Sequence, residues 1–130
     1  MSKTIRGVRL DIDGTLTDLQ LPLDDEGLQA ALHEAVGGWV EIGHYARPEG
    51  NRRLAVAVDA DGRQRQEENL YATSLINAIY LKQLPVCLRG PVVLLGALDE
   101  SRHFTDVPEP LYEVLPKVID ALKTRYSATA

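Results

Sequence analysis

The pattern Asp-X-Asp-Gly occurs twice in this chain, at residues 11–14 and 59–62, each time directly after a run of alternating side chains. Val8, Leu10 and Ile12 alternate with Gly7, Arg9, Asp11 and Asp13. Leu54, Val56 and Val58 alternate with Ala55, Ala57 and Asp59. A period of two marks an extended strand with one face toward a core. Asp-Gly tolerates the positive φ of a tight turn, so Asp13-Gly14 reads as a two-residue hairpin turn and Asp61-Gly62 as another. Beyond the first turn, Leu19 and Leu21 alternate with Asp18 and Gln20 as a return strand. Leu16 is out of phase with them, which predicts a bulge or short irregularity there.

Between the two patterns, Pro22 ends the strand and Asp24 or Asp25 offers a helix N-cap. Leu28, Ala31, Leu32, Ala35 and Val36 then repeat at helical spacing up to the Gly37-Gly38 stop. Trp39 to Tyr45 reads as a strand, Ala46 to Asn51 as a loop, and Arg52 to Asp59 as an antiparallel partner strand. The polar run Arg63 to Glu68 is open to two readings, a short outer strand or an exposed loop. Asn69 is placed to cap a second helix carrying Tyr71, Ser74, Leu75, Ala78 and Ile79 on one face, bounded by Pro85. Val92 to Gly96 is a continuous apolar run, as expected of a central strand. Asp99 to Asp106 reads as a loop. Leu111, Leu115, Val118, Ile119 and Leu122 keep helical spacing through Pro116, giving a kinked helix or two short ones.

These elements predict an α/β chain of the α+β type. Its sheet of about five strands, mixed or mainly antiparallel, starts with a β-hairpin, and two or three helices pack on one side. Residues 1–130 are expected to form one compact domain, with 111–130 as its C-terminal helical extension. Apolar residues at 45% and charged residues at 25% fit a folded globular chain. A net charge of −5 argues against a role in holding nucleic-acid backbone. Cys87 is the only cysteine, so no intramolecular disulfide or cysteine-rich zinc site can form. No run approaches the length needed to cross a bilayer, and no charged leader precedes an apolar stretch; a cytoplasmic location is expected.

Candidate chemistry centres on Asp11-Ile12-Asp13-Gly14-Thr15, which resembles the first motif of the haloacid-dehalogenase-like phosphatases. That resemblance implies Asp11 as nucleophile, Asp13 as acid/base, and both as ligands of Mg²⁺. Asp59 and Asp61 would supply further acids, and Lys82, Arg89 or Lys117 a cation. Against it, Arg9 interrupts the apolar run that a buried nucleophile strand requires, and Val92–Gly96 is followed by Ala97-Leu98 instead of Ser or Thr. The turn reading is therefore preferred, with no catalytic residue, metal or cofactor assigned and a Mg²⁺-dependent phosphohydrolase using Asp11 and Asp13 as the alternative. Histidines 33, 44 and 103 have no local metal-ligand spacing. Ser74 and Ser101 lack a nucleophile-elbow context. Arg47, Arg52 and Arg53 could grip an anion or simply be solvated. Trp39 and Tyr45, read as sharing one strand face, suit sheet packing or a contact surface.

The order of elements as a whole resembles domain of unknown function family 3846, small proteins of phages, plasmids and actinobacterial-type genomes. The resembling stretches are the opening hairpin, Leu28–Leu32 leading to Val36-Gly37-Gly38-Trp39-Val40-Glu41, and the strand ending in Asp61-Gly62. Asn69–Thr73, Leu88–Gly96 and Phe104–Pro108 continue it, so it spans roughly residues 4–110. The resemblance implies a small α/β domain of mobile-element origin with no known reaction. The expectation is a non-catalytic accessory protein that binds an unknown host or phage protein, with a homodimer as a natural way to cover a half-exposed sheet. Nucleic acid and membrane are not expected partners.

Overall fold

A computed structural model describes residues 3–46, 53–80 and 87–128. The elements in chain order are β1 (Thr4–Leu10), β2 (Leu16–Pro22), α1 (Asp25–Val36), β3 (Val40–Ala46), β4 (Arg53–Asp59), α2 (Gly62–Arg65), α3 (Leu70–Tyr80), β5 (Val92–Leu98), β6 (Phe104–Thr105) and α4 (Glu109–Ala128). The strands form one sheet in the order β2-β1-β5-β4-β3, and every pairing is antiparallel. The short β6 pairs with the far end of β5 through Gly96 and Leu98. The expected antiparallel sheet opening with a hairpin is thus the observed one. Of the loop expected at Ala46–Asn51, Ala46 ends β3, while residues 47–51 and the boundary at Pro85 lie outside the described residues.

The apolar run of β5 is its organising centre. Val92, Val93, Leu94 and Leu95 are all fully buried, which requires cover on both faces of the sheet. On one face Val92 and Leu94 join Val8, Leu10, Leu54 and Val56 beneath Leu75 and Ile76 of α3 and Leu115 and Ile119 of α4. On the other, Val93 and Leu95 join Ile5, Leu21, Ala55 and Ala57 beneath Leu28, Leu32 and Val36 of α1. The helices therefore lie on both sides, and their expected placement on one side is corrected. Alanines at 55 and 57 opposite α1, against Leu54 and Val56 on the other face, let that helix approach the sheet closely.

The same two-faced burial resolves Leu16. The β1–β2 register runs without a shift from Thr4↔Pro22 to Leu10↔Leu16, so Leu16 itself is regularly paired. Leu16 packs with the α3/α4 cluster, whereas Leu19 and Leu21 serve the α1 cluster. The register shift in the sheet falls at Gly96/Leu98 instead. There a Cβ on Gly96 would collide with the Thr105 hydroxyl and the Asp106 carbonyl. The Asp99–Asp106 segment is accordingly a turn followed by β6.

Helix ends follow from their local sequences. Asp24 caps α1 by accepting from the Gly27 N–H at 2.8 Å, and Gly37, at φ +81°, closes it by donating to the His33 carbonyl. Asn69 is fully buried at the start of α3. Its Oδ1 accepts from the Ala72 N–H, while its amide donates to the Leu10 carbonyl at 3.0 Å and to the Gly90 carbonyl at 2.9 Å. One side chain thus caps the helix and ties it to the ends of β1 and β5. Pro116 sits on the exposed side of α4, which continues through it as one helix. α4 contributes Leu115 and Ile119 to the core. Among the described residues, no helix is long and apolar enough to cross a membrane.

Candidate functional site

The first Asp-X-Asp-Gly pattern forms the tip of the β1–β2 hairpin. The Gly14 N–H donates to the Asp11 carbonyl and the Asp11 N–H to the Thr15 carbonyl, each at 3.0 Å. Ile12, Asp13 and Gly14 therefore span the turn, and of these only Gly14 has a positive φ, at +88°. The connection is a three-residue loop closed by a left-handed glycine, a correction of the two-residue turn. Asp13 Oδ1 accepts from the Thr15 N–H at 2.9 Å. Hydrogen bonding from Thr15, with Lys123 nearby, holds the Asp13 carboxyl below its ordinary pKa. Asp11 pairs with Arg9, Oδ2 to Nε at 3.4 Å.

The second pattern does something else. Asp59 ends β4 on the α1 side, with its side chain fully enclosed. Its Oδ1 accepts from the Asp61 N–H at 2.9 Å, and its Oδ2 accepts from Arg65 at 2.5 Å and Gln66 at 3.2 Å. Arg65 also donates to the Gly37 carbonyl at 3.0 Å and Gln66 to the Val36 carbonyl at 3.4 Å. These are terminal carbonyls of α1, which no intrahelical N–H can reach. Burial pushes the Asp59 pKa up, but the Asp61 N–H, the Arg65 guanidinium and the Gln66 amide prevail and hold it below its ordinary value. The expected second hairpin turn is thus a clamp between β4, α2 and α1. Gly38 is part of it, since a Cβ there would strike the Arg65 guanidinium and the Asp59 carboxylate.

Phosphoryl transfer would need Asp11 and Asp13 to face a metal together with further acids. Here Asp11 is ion-paired, Asp13 faces its own turn, and both oxygens of Asp59 are occupied by protein donors. Among the described residues, no three His, Cys, Asp or Glu side chains converge into a metal-holding group. Arg47 and Arg52 lie outside the described residues, as does the side chain of Arg53. Ser74 hydrogen-bonds the Tyr126 hydroxyl, and the Cys87 thiol lies 3.3 Å from the Thr73 hydroxyl. His33 rests against Trp39, His44 stacks on Phe104, and His103 lies in the turn that the Asp99 carboxylate organises.

Two of the surface depressions among the described residues lie beside side chains singled out above. One, of about 490 Å³, lies on the α3 side of the β3–β4 edge and includes Glu41, Tyr45, Val58, Leu88 and Arg89 in its wall. Tyr45 covers Gly43, and its hydroxyl pKa is pushed up by burial and by Glu41. Arg89 is already engaged there, by the Gln66 carbonyl at 3.2 Å and Glu68 at 3.7 Å. The other, shallow and about 650 Å³, runs along the outer surface of α1 between Asp25, Glu26, Gln29, Ala30, His33 and Trp39. Trp39 precedes β3, its ring 5.2 Å from that of His33 and 69% of its surface exposed. Tyr45 packs with the opposite cluster, so the two aromatics do not share a face.

Periodicity located the apolar stripe of α1, but not the groove beside it. The signal available was the small, neutral Ala30 between Asp25-Glu26 and His33 on the polar side. No family model, curated protein or solved structure matches this chain.

Proposed function

We propose that this chain is a small non-catalytic binding domain that docks a protein partner, as an accessory protein of a phage or mobile element would, with Trp39 as its anchor. The observation that carries this reading is the 69% exposure of Trp39 at the end of a surface depression. Leaving an indole that open forgoes roughly 3 kcal/mol of apolar burial. Among the described residues, the other exposed large apolar side chains, Ile12, Leu70, Leu98 and Val114, are at 37–48%. Tryptophan is the side chain most enriched among residues that dominate binding energy. The carboxylates that invited an enzymatic reading, by contrast, already have partners within the fold.

A photo-crosslinking residue at position 39, compared with one at the exposed Thr124 on α4, tests this in lysate of the source cell. The expected result is a discrete protein adduct at position 39 that excess wild-type chain competes away and Trp39→Ala chain does not. An adduct of twice the chain mass would make the partner a second copy. Equal, uncompeted labelling at both positions would reject the reading.

A further inference from the structure

Resting on that docking reading, we infer that the Trp39 surface receives a basic segment of a partner protein. That segment sets an apolar side chain on the indole and a Lys or Arg against Asp25 and Glu26. The surface is bipartite because of helix geometry. Glu26, Gln29, Ala30 and His33 run along one flank of α1, beside the buried stripe of Leu28, Leu32 and Val36, and Asp25 adjoins them at the exposed first turn. His33 lies eight positions after Asp25, which at 1.5 Å per residue is about 12 Å. Trp39 and His33 therefore mark one end and the two carboxylates the other, with the small Ala30 between them.

The charge at the acidic end is not accounted for within the fold. Acidic residues in a first helical turn ordinarily offset the helix dipole, but that amounts to only about half a positive charge. Asp24 already fills the capping position with its own carboxylate. The carboxylates of Asp25 and Glu26 are exposed and have no hydrogen bond or ion pair among the described residues. The only basic residue of α1 is His33, at the other end. A net charge of −5 adds a field of the same sign. Nucleic-acid phosphates and anionic lipid headgroups would be repelled, whereas a cationic protein segment gains both contacts at once. The 12 Å span sets its spacing at about two turns on a helix, or about four residues on an extended strand.

Trp39 is the only tryptophan in the chain, so its emission reports directly on this surface. The intact protein is titrated with three helical peptides of about sixteen residues, each carrying a Leu anchor. Two turns from that anchor they carry two Arg, two Gln or two Glu. The expected result is a saturable blue shift with the Arg peptide, at about tenfold or more higher affinity than with the Glu peptide. The Asp25→Asn/Glu26→Gln variant, with its helicity checked by circular dichroism, should weaken Arg-peptide binding about fivefold or more. Glu113→Gln/Asp120→Asn on α4 should not. Equal binding of the Gln or Glu peptide would overturn the charge inference and leave docking at Trp39 standing, as would indifference to the α1 variant or equal sensitivity to the α4 one. If no peptide moves the emission, the inference falls, and the position-39 cross-link alone decides the docking reading.

Discussion

Residues 11–14 and 59–62 share the pattern Asp-X-Asp-Gly, follow similar alternating strands, and end up in opposite circumstances. At the hairpin tip the first Asp pairs with a neighbour on its own strand, and the second is fully exposed. The Gly carries the backbone through φ +88°. After β4 the first Asp is enclosed and binds α2 and the end of α1 together, while the Gly begins a helical turn. Position in the sheet makes the difference. β1 hands the chain to a neighbouring strand, whereas β4 ends beside the open carbonyls of a helix that needs donors. A short motif therefore specifies a backbone option, and the surroundings decide whether its carboxylate serves the turn or the tertiary structure.

The most severe test of this contrast is Asp59→Ala. It removes three accepted hydrogen bonds from an enclosed position and releases the donors that cap α1. The expected loss is about 2–3 kcal/mol in urea denaturation, held to that range because Arg65 is half exposed and can turn to water. A loss no larger than that of a surface substitution would mean the clamp is incidental. The same group shapes the acid response. Its folded pKa lies below the ordinary 3.8, so its stabilisation is complete well above that value and is lost as pH falls through the folded one. The stability gap between wild type and Asp59→Ala should be constant above about pH 5 and close below 3.8; a gap that widens on acidification would reverse the assignment.

Smaller effects should differ in sign between the two glycines. Gly14→Ala places a side chain in the left-handed region and should cost about 1–2 kcal/mol. Gly62→Ala meets its nearest neighbour, the Arg89 carbonyl, at 3.4 Å and sits in a helical turn, so it should be neutral or stabilise by up to about 0.5–1 kcal/mol. Equal losses at the two positions would erase the distinction. The least change is expected at Asp13→Asn, whose amide oxygen can still accept from Thr15; a thermal midpoint well below that of wild type would show that the hairpin tip depends on charge.

Much of the architecture was legible because it follows from one-dimensional periodicity. Alternation marked β1, β2 and β4, the i, i+3, i+4 apolar spacing with Gly37 marked α1, and Asn69 was recognised as a cap. The uninterrupted run Val92–Leu95 announced a central strand, and it also implied cover on both faces. A sheet covered on both faces cannot have all its helices on one side, so the one-sided expectation fails at this run. Leu16 was misread for the same reason, since a residue out of phase with one core can be in phase with another. The clamp was illegible because Asp59, Arg65 and the carbonyls of Val36 and Gly37 meet only in three dimensions. Trp39 was assigned to a strand face it does not occupy because nothing local shows that the chain straightens only at Val40. Asp25 reads in the sequence only as an alternative N-cap to Asp24, and no local signal singles out Glu26.

The central placement of β5 also sets an order of assembly. The β1–β2 and β3–β4 ribbons close over short sequence separations, whereas Val92–Leu94 must find Leu10–Val8 more than eighty residues upstream. Loop-closure entropy makes such a distant pairing the slow one. A chain emerging from the ribosome would present two separate hairpins and an amphipathic helix, with apolar faces that have no common partner until residue 95 is free. The strand that completes the sheet last is the one that joins its two halves, so the interval before it docks is when this protein is most exposed to aggregation.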